Sequence, residues 1–197
     1  MPKRLEPSFS ARVPPGEDRE RQVCDHCGFV AYVNPKIVVG AVVAHADKGR
    51  PFGARAVPLA DVGILLCRRA IMPRRGYWTL PAGYMEEGET VADATLRETR
   101  EEAMAEIELD GLLAIYDVPQ RSQVQIFHRA RLPAPEYGAG SETLETRLFP
   151  WGEIPWKALA FYSVSWALDA FAQSRSKSGF APFGNPSEPG WWAPAGV

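Results

Sequence analysis

The chain has 197 residues, 46% of them hydrophobic, and a formal charge of −2. That is enough apolar material for one domain, or one domain with a small appendage, and too little positive charge to recruit nucleic acid through a global field. It shows no apolar run of membrane-spanning length, no signal-peptide stretch in the first twenty residues and no disulfide framework, which predicts a soluble cytoplasmic protein with neither membrane nor nucleic-acid partners.

Residues 1–22 mix Pro, Arg and Glu and are predicted to form an irregular arm. Residues 23–36 carry one knuckle, Cys24-Asp25-His26-Cys27, followed by the Asn34-Pro35 turn. One knuckle supplies two thiolates, whereas structural zinc takes four ligands. Cys67 is distant and on a predicted buried strand, and His26 sits inside the knuckle itself. The segment reads as half of a zinc ribbon, with Cys24 and Cys27 as candidate Zn2+ ligands. Zinc is disfavoured there unless His26 or another subunit completes the site.

Residues 37–44 and 62–67 are rich in β-branched side chains and predict two strands paired as a hairpin. The stretch between them, 46–61, reads as an inserted loop of the length that is usually functional or mobile. Arg68, Arg69, Arg74 and Arg75 then lie across a turn, either as ordinary surface charges or as bidentate donors to phosphate. Tyr77 and Trp78 lead through Pro81 into Gly83. Residues 111–118 and 123–132 are strand candidates, and 141–149 alternates apolar and polar residues as another. Pro155 is expected to open a helix over 156–173. Residues 174–197 form a Pro/Gly-rich tail containing Trp191 and Trp192, of a composition that rarely builds its own core.

The residues between Gly83 and Ala105 carry the chemistry. Thr90 is an N-cap candidate, with Asp93 completing a capping-box-like arrangement. Glu98, Glu101 and Glu102 follow at helical spacing, which crowds three carboxylates into one patch near the negative end of the helix dipole. Such a cluster is costly as a solvated face and suits a hard divalent cation that takes carboxylate oxygens. Strands, loop, helix, more strands and a closing helix predict an α/β fold, a mixed sheet between helices in an α/β/α sandwich.

Gly83, Glu89, Arg97, Glu98, Glu101 and Glu102 fall at the places of the Nudix box: Gly, five residues, Glu, seven residues, Arg-Glu, two residues, Glu-Glu. Thr99 stands at a usually apolar position, and Met104 replaces the terminal glycine. Because Met104 is poorly suited to φ > 0, the helix is expected to end differently, up to a turn later. The resemblance covers roughly residues 23–172 and is nearest a subgroup with an N-terminal zinc ribbon, some of whose members cleave FAD or ADP-ribose. It implies a Nudix-type sandwich over 37–173 and hydrolysis of a nucleoside diphosphate linked to a second moiety, releasing AMP, with Mg2+ or Mn2+ as cofactor. It implies metal ligands at Glu98, Glu101, Glu102 and the Ala82 carbonyl, with Arg97, Gly83 and Glu89 as supports. A further carboxylate from outside the box is Glu142 or Glu145. Arg74, Arg75, Tyr77, Trp78 and Tyr84 are candidates for the small nucleotide substrate, with core packing an equal reading for Trp78. The implied alternatives are a hydrolase of nucleotide sugars or nucleoside triphosphates, or a ligand-sensing module, and a homodimer is left open.

Overall fold

A computed structural model describes residues 6–46 and 58–187, in two units divided between Pro35 and Lys36. Most of the inserted loop, and Trp191 and Trp192, lie outside the described residues. No described helix is long and apolar enough to cross a membrane.

The first unit corrects the expectation of an irregular arm. Strands β1 (Phe9–Arg12), β2 (Arg21–Cys24) and β3 (Val30–Ala31) form an antiparallel sheet in that order. The residues beside the knuckle account for it. Ser8 and Ser10 each donate a hydroxyl to the Asp25 carboxylate at 2.7 Å, and the Asp25 N–H donates to the Ser8 carbonyl. At the far end Glu17 accepts from Arg21 and from the Tyr32 hydroxyl. Side-chain hydrogen bonds thus fasten both ends of a sheet too small to hold much core.

In the second unit, β4 (Lys36–His45), β5 (Gly63–Arg69), β8 (Glu108–Val118), β9 (Gln123–Arg131) and β10 (Thr143–Pro150) make a mixed sheet ordered β10-β5-β4-β9-β8. Two short strands, β6 (Trp78–Thr79) and β7 (Ala82–Tyr84), attach to β5 and β4. The expected β4–β5 hairpin touches only through Ala44–Ile64 and His45–Gly63. Beyond those pairs the strands part, and β7 takes the antiparallel place beside β4 while β9 runs parallel on its other side.

Strand alternation makes two cores, one on each face of this sheet. Val42, Ala44, Ile64 and Leu66 face helix α2 (Tyr162–Ser174), while Ala41, Val43, Leu65 and Cys67 face helix α1 (Val91–Ala103). Leu168 and Phe171 of α2 are fully buried, so truncating either to Ala is a core deletion of about 2–5 kcal/mol. Helix α2 begins at Tyr162, six residues later than Pro155 suggested. Trp156–Ala158 form only a 3-10 turn, after which Leu159 bridges to Trp78 and the Ala160 N–H is committed to the Trp78 carbonyl, so the chain is extended there before the helix begins. The tail is also corrected in part: Phe183 pairs with Leu113 and Ile115 on the outer edge of β8, and the Asn185 side chain bonds both backbone groups of Asp117.

Candidate active site

Helix α1 is placed by its cap and its buried stripe. Thr90 accepts from the Asp93 N–H at 3.1 Å and donates to the Asp93 carboxylate at 2.6 Å. Ala94, Thr95, Glu98, Thr99, Glu102 and Ala103 form the buried face at helical spacing. Thr99 fits there because its hydroxyl bonds back to the Thr95 carbonyl, leaving its methyl to pack. Glu98 and Glu102 therefore point into the protein, while Glu101 stands one step round with its side chain 59% exposed. The single patch of three carboxylates is really a buried pair and a rim residue.

The helix ends at Ala103, and Met104 takes the left-handed conformation at φ 47°, contrary to the expectation from its side chain. The loop 138–140 explains this. The Gly138 N–H donates to the Ala103 carbonyl and the Gly140 N–H to that of Glu102, satisfying the last turn from outside. Gly140 is required there, because a Cβ on it would collide with the Glu101 carbonyl.

The β7 strand meets this helix closely. The Ala82 N–H donates to Glu102 Oε2 at 2.9 Å, and a Cβ at Gly83 would land on the Glu98 carboxylate. Arg97 ties the surroundings together, bonding Glu89 at 2.6 and 2.9 Å, Glu98 at 2.8 Å, Glu101 at 3.0 Å and the Tyr84 carbonyl at 3.0 Å. The Arg97 bond, with the Glu86 N–H, draws the Glu89 carboxyl down to about 2. Burial pushes Glu102 up to about 7, despite the Ala82 N–H. Burial also raises Glu98, outweighing Arg97. Two carboxylates are thus held where an unneutralised charge is costly.

Glu142 and Glu145 separate. The charge of Glu142 is felt at both Glu98 and Glu102, raising each, and its carbonyl accepts from the Ala70 N–H. Glu145 lies opposite Arg68 on β5 and pairs with it at 3.6 Å, away from the helix. Among the arginines, Arg69 is the one whose charge draws Glu102 downward; its guanidinium rests on the Phe161 ring and donates to the Pro73 carbonyl. Strand parity could have found it, since Arg69 follows Leu65 and Cys67 on the α1 face. Arg74 instead lies over Tyr77, and Arg75 is exposed on the turn. Trp78 packs edge-on against Phe149 at 4.8 Å beside the core, which is its structural reading. Tyr84 is half exposed, with Lys36 over its ring.

Among the described residues no three His, Cys, Asp or Glu side chains form a ready cation cage. The carboxylates are turned instead onto Arg97 and the Ala82 N–H. Their donor chemistry nonetheless fits a hard divalent cation, being oxygen throughout, with burial costs that such a charge would relieve.

A glycine-led strand feeding a carboxylate helix, on a mixed sheet between two helices, is the architecture of an α/β phosphohydrolase. The NUDIX domain family matches residues 49–167, and the chain belongs to that family as a Nudix hydrolase. A Nudix hydrolase structure from Nitrosomonas europaea is 35% identical, with a TM-score of 0.76, over 93% of this chain and 98% of that one. An ADP-ribose pyrophosphatase of Methanocaldococcus jannaschii is 27% identical over 63% of this chain and 67% of its own length. The Nudix domain of Shewanella oneidensis NrtR, solved with ADP ribose, shares the fold at 18% identity and a TM-score of 0.56, over 72% of this chain and 90% of that one. Nudix hydrolases generally use divalent metals such as Mg2+ and act on small nucleotides.

The Nudix N-terminal zinc-ribbon family matches residues 7–33. That stretch holds two cysteines and one histidine. Cys24 is buried and Cys27 exposed, and N–H groups of Cys27 and His26 depress the Cys24 thiol. Asp25, the remaining charged group of the knuckle, is occupied by Ser8 and Ser10. These residues do not fit a four-ligand zinc site.

Proposed function

We propose that the chain hydrolyses the diphosphate of a nucleoside diphosphate linked to a second moiety, with ADP-ribose the leading substrate, to AMP and a phosphorylated product. The observation that carries this is the buried Glu98–Glu102 pair pressed against Gly83 and Ala82. Glu98, Glu102, Glu101 and the Ala82 carbonyl are the groups that would hold Mg2+ or Mn2+, with Glu142 the outside carboxylate. When bound, such a cation neutralises the diphosphate and stabilises the charge that develops as water attacks phosphorus.

The chain's own residues do the positioning. Arg97, clamped by Glu89, fixes the Tyr84 carbonyl and holds Glu98 and Glu101 at the mouth of the site. Arg69 brings positive charge to Glu102 and is the better phosphate donor than Arg74 or Arg75. Glu142 is the candidate to orient or deprotonate the water. The exposed Tyr84 ring, rather than Trp78, is the aromatic surface that remains available for a substrate ring.

The test is product chromatography on a panel of ADP-ribose, FAD, NADH, nucleotide sugars and nucleoside triphosphates, with Mg2+ or Mn2+. AMP from ADP-ribose is expected. Glu98→Gln and Glu102→Gln should each lower kcat by more than the ~10–100-fold typical of lost supporting contacts around a metal. No turnover of any panel member, or full activity in both variants, would refute the reading.

A further inference from the structure

One end of the sheet face that packs on α2 is polar where its register calls for core. The positions of this face are Val42 and Ala44 on β4, Phe127 on β9 and Ala82 on β7, all within or against the apolar core. Continuing the alternation toward the start of β4 places Lys36, Gln123, Gln125 and Tyr84 on the same face, through the pairs Lys36–Gln123, Val38–Gln125 and Val38–Tyr84. A strand face that changes from Val and Phe to two amides within four residues has gained polar groups that a core does not need.

These side chains are joined in a ladder. The Lys36 ammonium sits 4.9 Å from the centre of the Tyr84 ring. Gln123 Nε2 donates to the Tyr84 hydroxyl at 3.1 Å, and Gln125 Nε2 donates to Gln123 Oε1 at 3.1 Å. The far end is unfinished: Gln125 Oε1 is shut off from solvent and has no hydrogen-bond partner. A ladder that served only the fold would leave neither end unmet, since a buried polar atom without a partner is costly. Tyr84 also joins this ladder to the carboxylate network, because its carbonyl accepts from Arg97. Gly83, the residue before it, lies against Glu98. The two groups of residues meet at β7 from its two sides.

We infer that Lys36, Tyr84, Gln123 and Gln125 form the subsite that selects the base of the substrate, and that it takes a planar ring carrying an amino group, adenine rather than hypoxanthine. The inference rests on the proposed nucleotide chemistry of the adjoining carboxylates. An exocyclic amino group supplies the donor that Gln125 Oε1 lacks. Hypoxanthine presents a carbonyl there, so two acceptors face each other, and a buried site of that kind rejects the wrong ring more strongly than it attracts the right one. Tyr84 offers a ring to stack on, and the Lys36 charge favours a nucleotide over a neutral nucleoside.

Calorimetric binding of AMP and IMP to the full chain tests this without turnover. The wild type should bind AMP roughly tenfold more tightly than IMP, the size of one well-placed hydrogen bond. Gln125→Leu should erase the difference, and Lys36→Met, on the exposed rim, should weaken both nucleotides alike. If Gln125→Leu does not fold, Gln123→Leu must produce the same loss of preference. Equal AMP and IMP affinities in the wild type, or a preference that survives these glutamine changes, overturns the inference. Absence of ADP-ribose hydrolysis alongside an intact AMP preference would instead defeat the proposed reaction and leave the subsite standing.

Discussion

Burial lifts the Glu102 carboxyl from 4.5 to about 7, and the charge of Glu98 pushes the same way. A carboxyl raised by folding binds protons that the unfolded chain has already released. Between pH 4.5 and 7 the unfolded carboxyl is already ionised while the folded one must still hold its proton, so stability falls as pH rises through that window. At pH 8 the full penalty is present, about 3 kcal/mol. Glu102→Gln keeps an acceptor for the Ala82 N–H and removes the charge. In chelator, urea unfolding at pH 5 and pH 8 should show a smaller loss of stability in the variant than in the wild type. Parallel losses would show that Glu102 is not the strained group. The spacing of Glu98 and Glu102 was legible in the sequence, but their separation from Glu101 needed the burial of Ala94 and Thr95. Met104 was misjudged for a related reason. A left-handed side chain costs about 1–2 kcal/mol, and the bonds that outweigh it come from Gly138 and Gly140, more than thirty residues away.

Elements whose stability is local were read correctly, and those finished by distant partners were not. The alternating apolar run of β4 and the Thr90 cap of α1 contain their own signals. The start of α2 does not, because Trp78 recruits Ala160 into an extended bridge. The N-terminal sheet escaped notice because its fasteners, Ser8, Ser10, Asp25 and the Glu17–Arg21–Tyr32 group, are polar and scattered through a Pro-rich segment. That same set predicts a ribbon independent of zinc. Metal analysis of purified protein should find no stoichiometric zinc, and a zinc chelator should leave proteolysis of residues 6–35 unchanged. Ser8→Ala with Ser10→Ala should hasten cleavage there, since Asp25 then loses both hydroxyl donors. One zinc per chain, or chelator-induced cleavage, would mean that the knuckle recruits further ligands.

On the scale of the molecule, the order of the elements revealed a sandwich but not how its open edge is closed. Strand β8 ends the sheet, and an uncovered edge of that length invites pairing with other chains. The tail covers part of it, and the attachment depends on one buried cation. Arg129, 1% exposed, donates to the carbonyls of Ser174 and Lys177 at 2.5 and 3.1 Å and pairs with Asp110 at 2.6 Å, with Phe180 across its guanidinium. It closes the end of α2 and starts the tail on its path to β8 in the same set of bonds. Arg129→Met should leave the Ser174 and Lys177 carbonyls without this partner, at about 1–3 kcal/mol for each buried acceptor left unmet, while Asp110, 38% exposed, returns to solvent at little further cost. Asn185→Ala removes only the two terminal bonds to Asp117, in an exposed setting, and should cost about 1 kcal/mol or less. Amide exchange separates the two effects. The Ile115 and Asp117 N–H groups should lose protection in both variants, whereas exchange throughout α2 should accelerate only in Arg129→Met. If α2 keeps full protection in Arg129→Met, the tail is a passive cover, and the helix is held by Leu168, Phe171 and their neighbours alone.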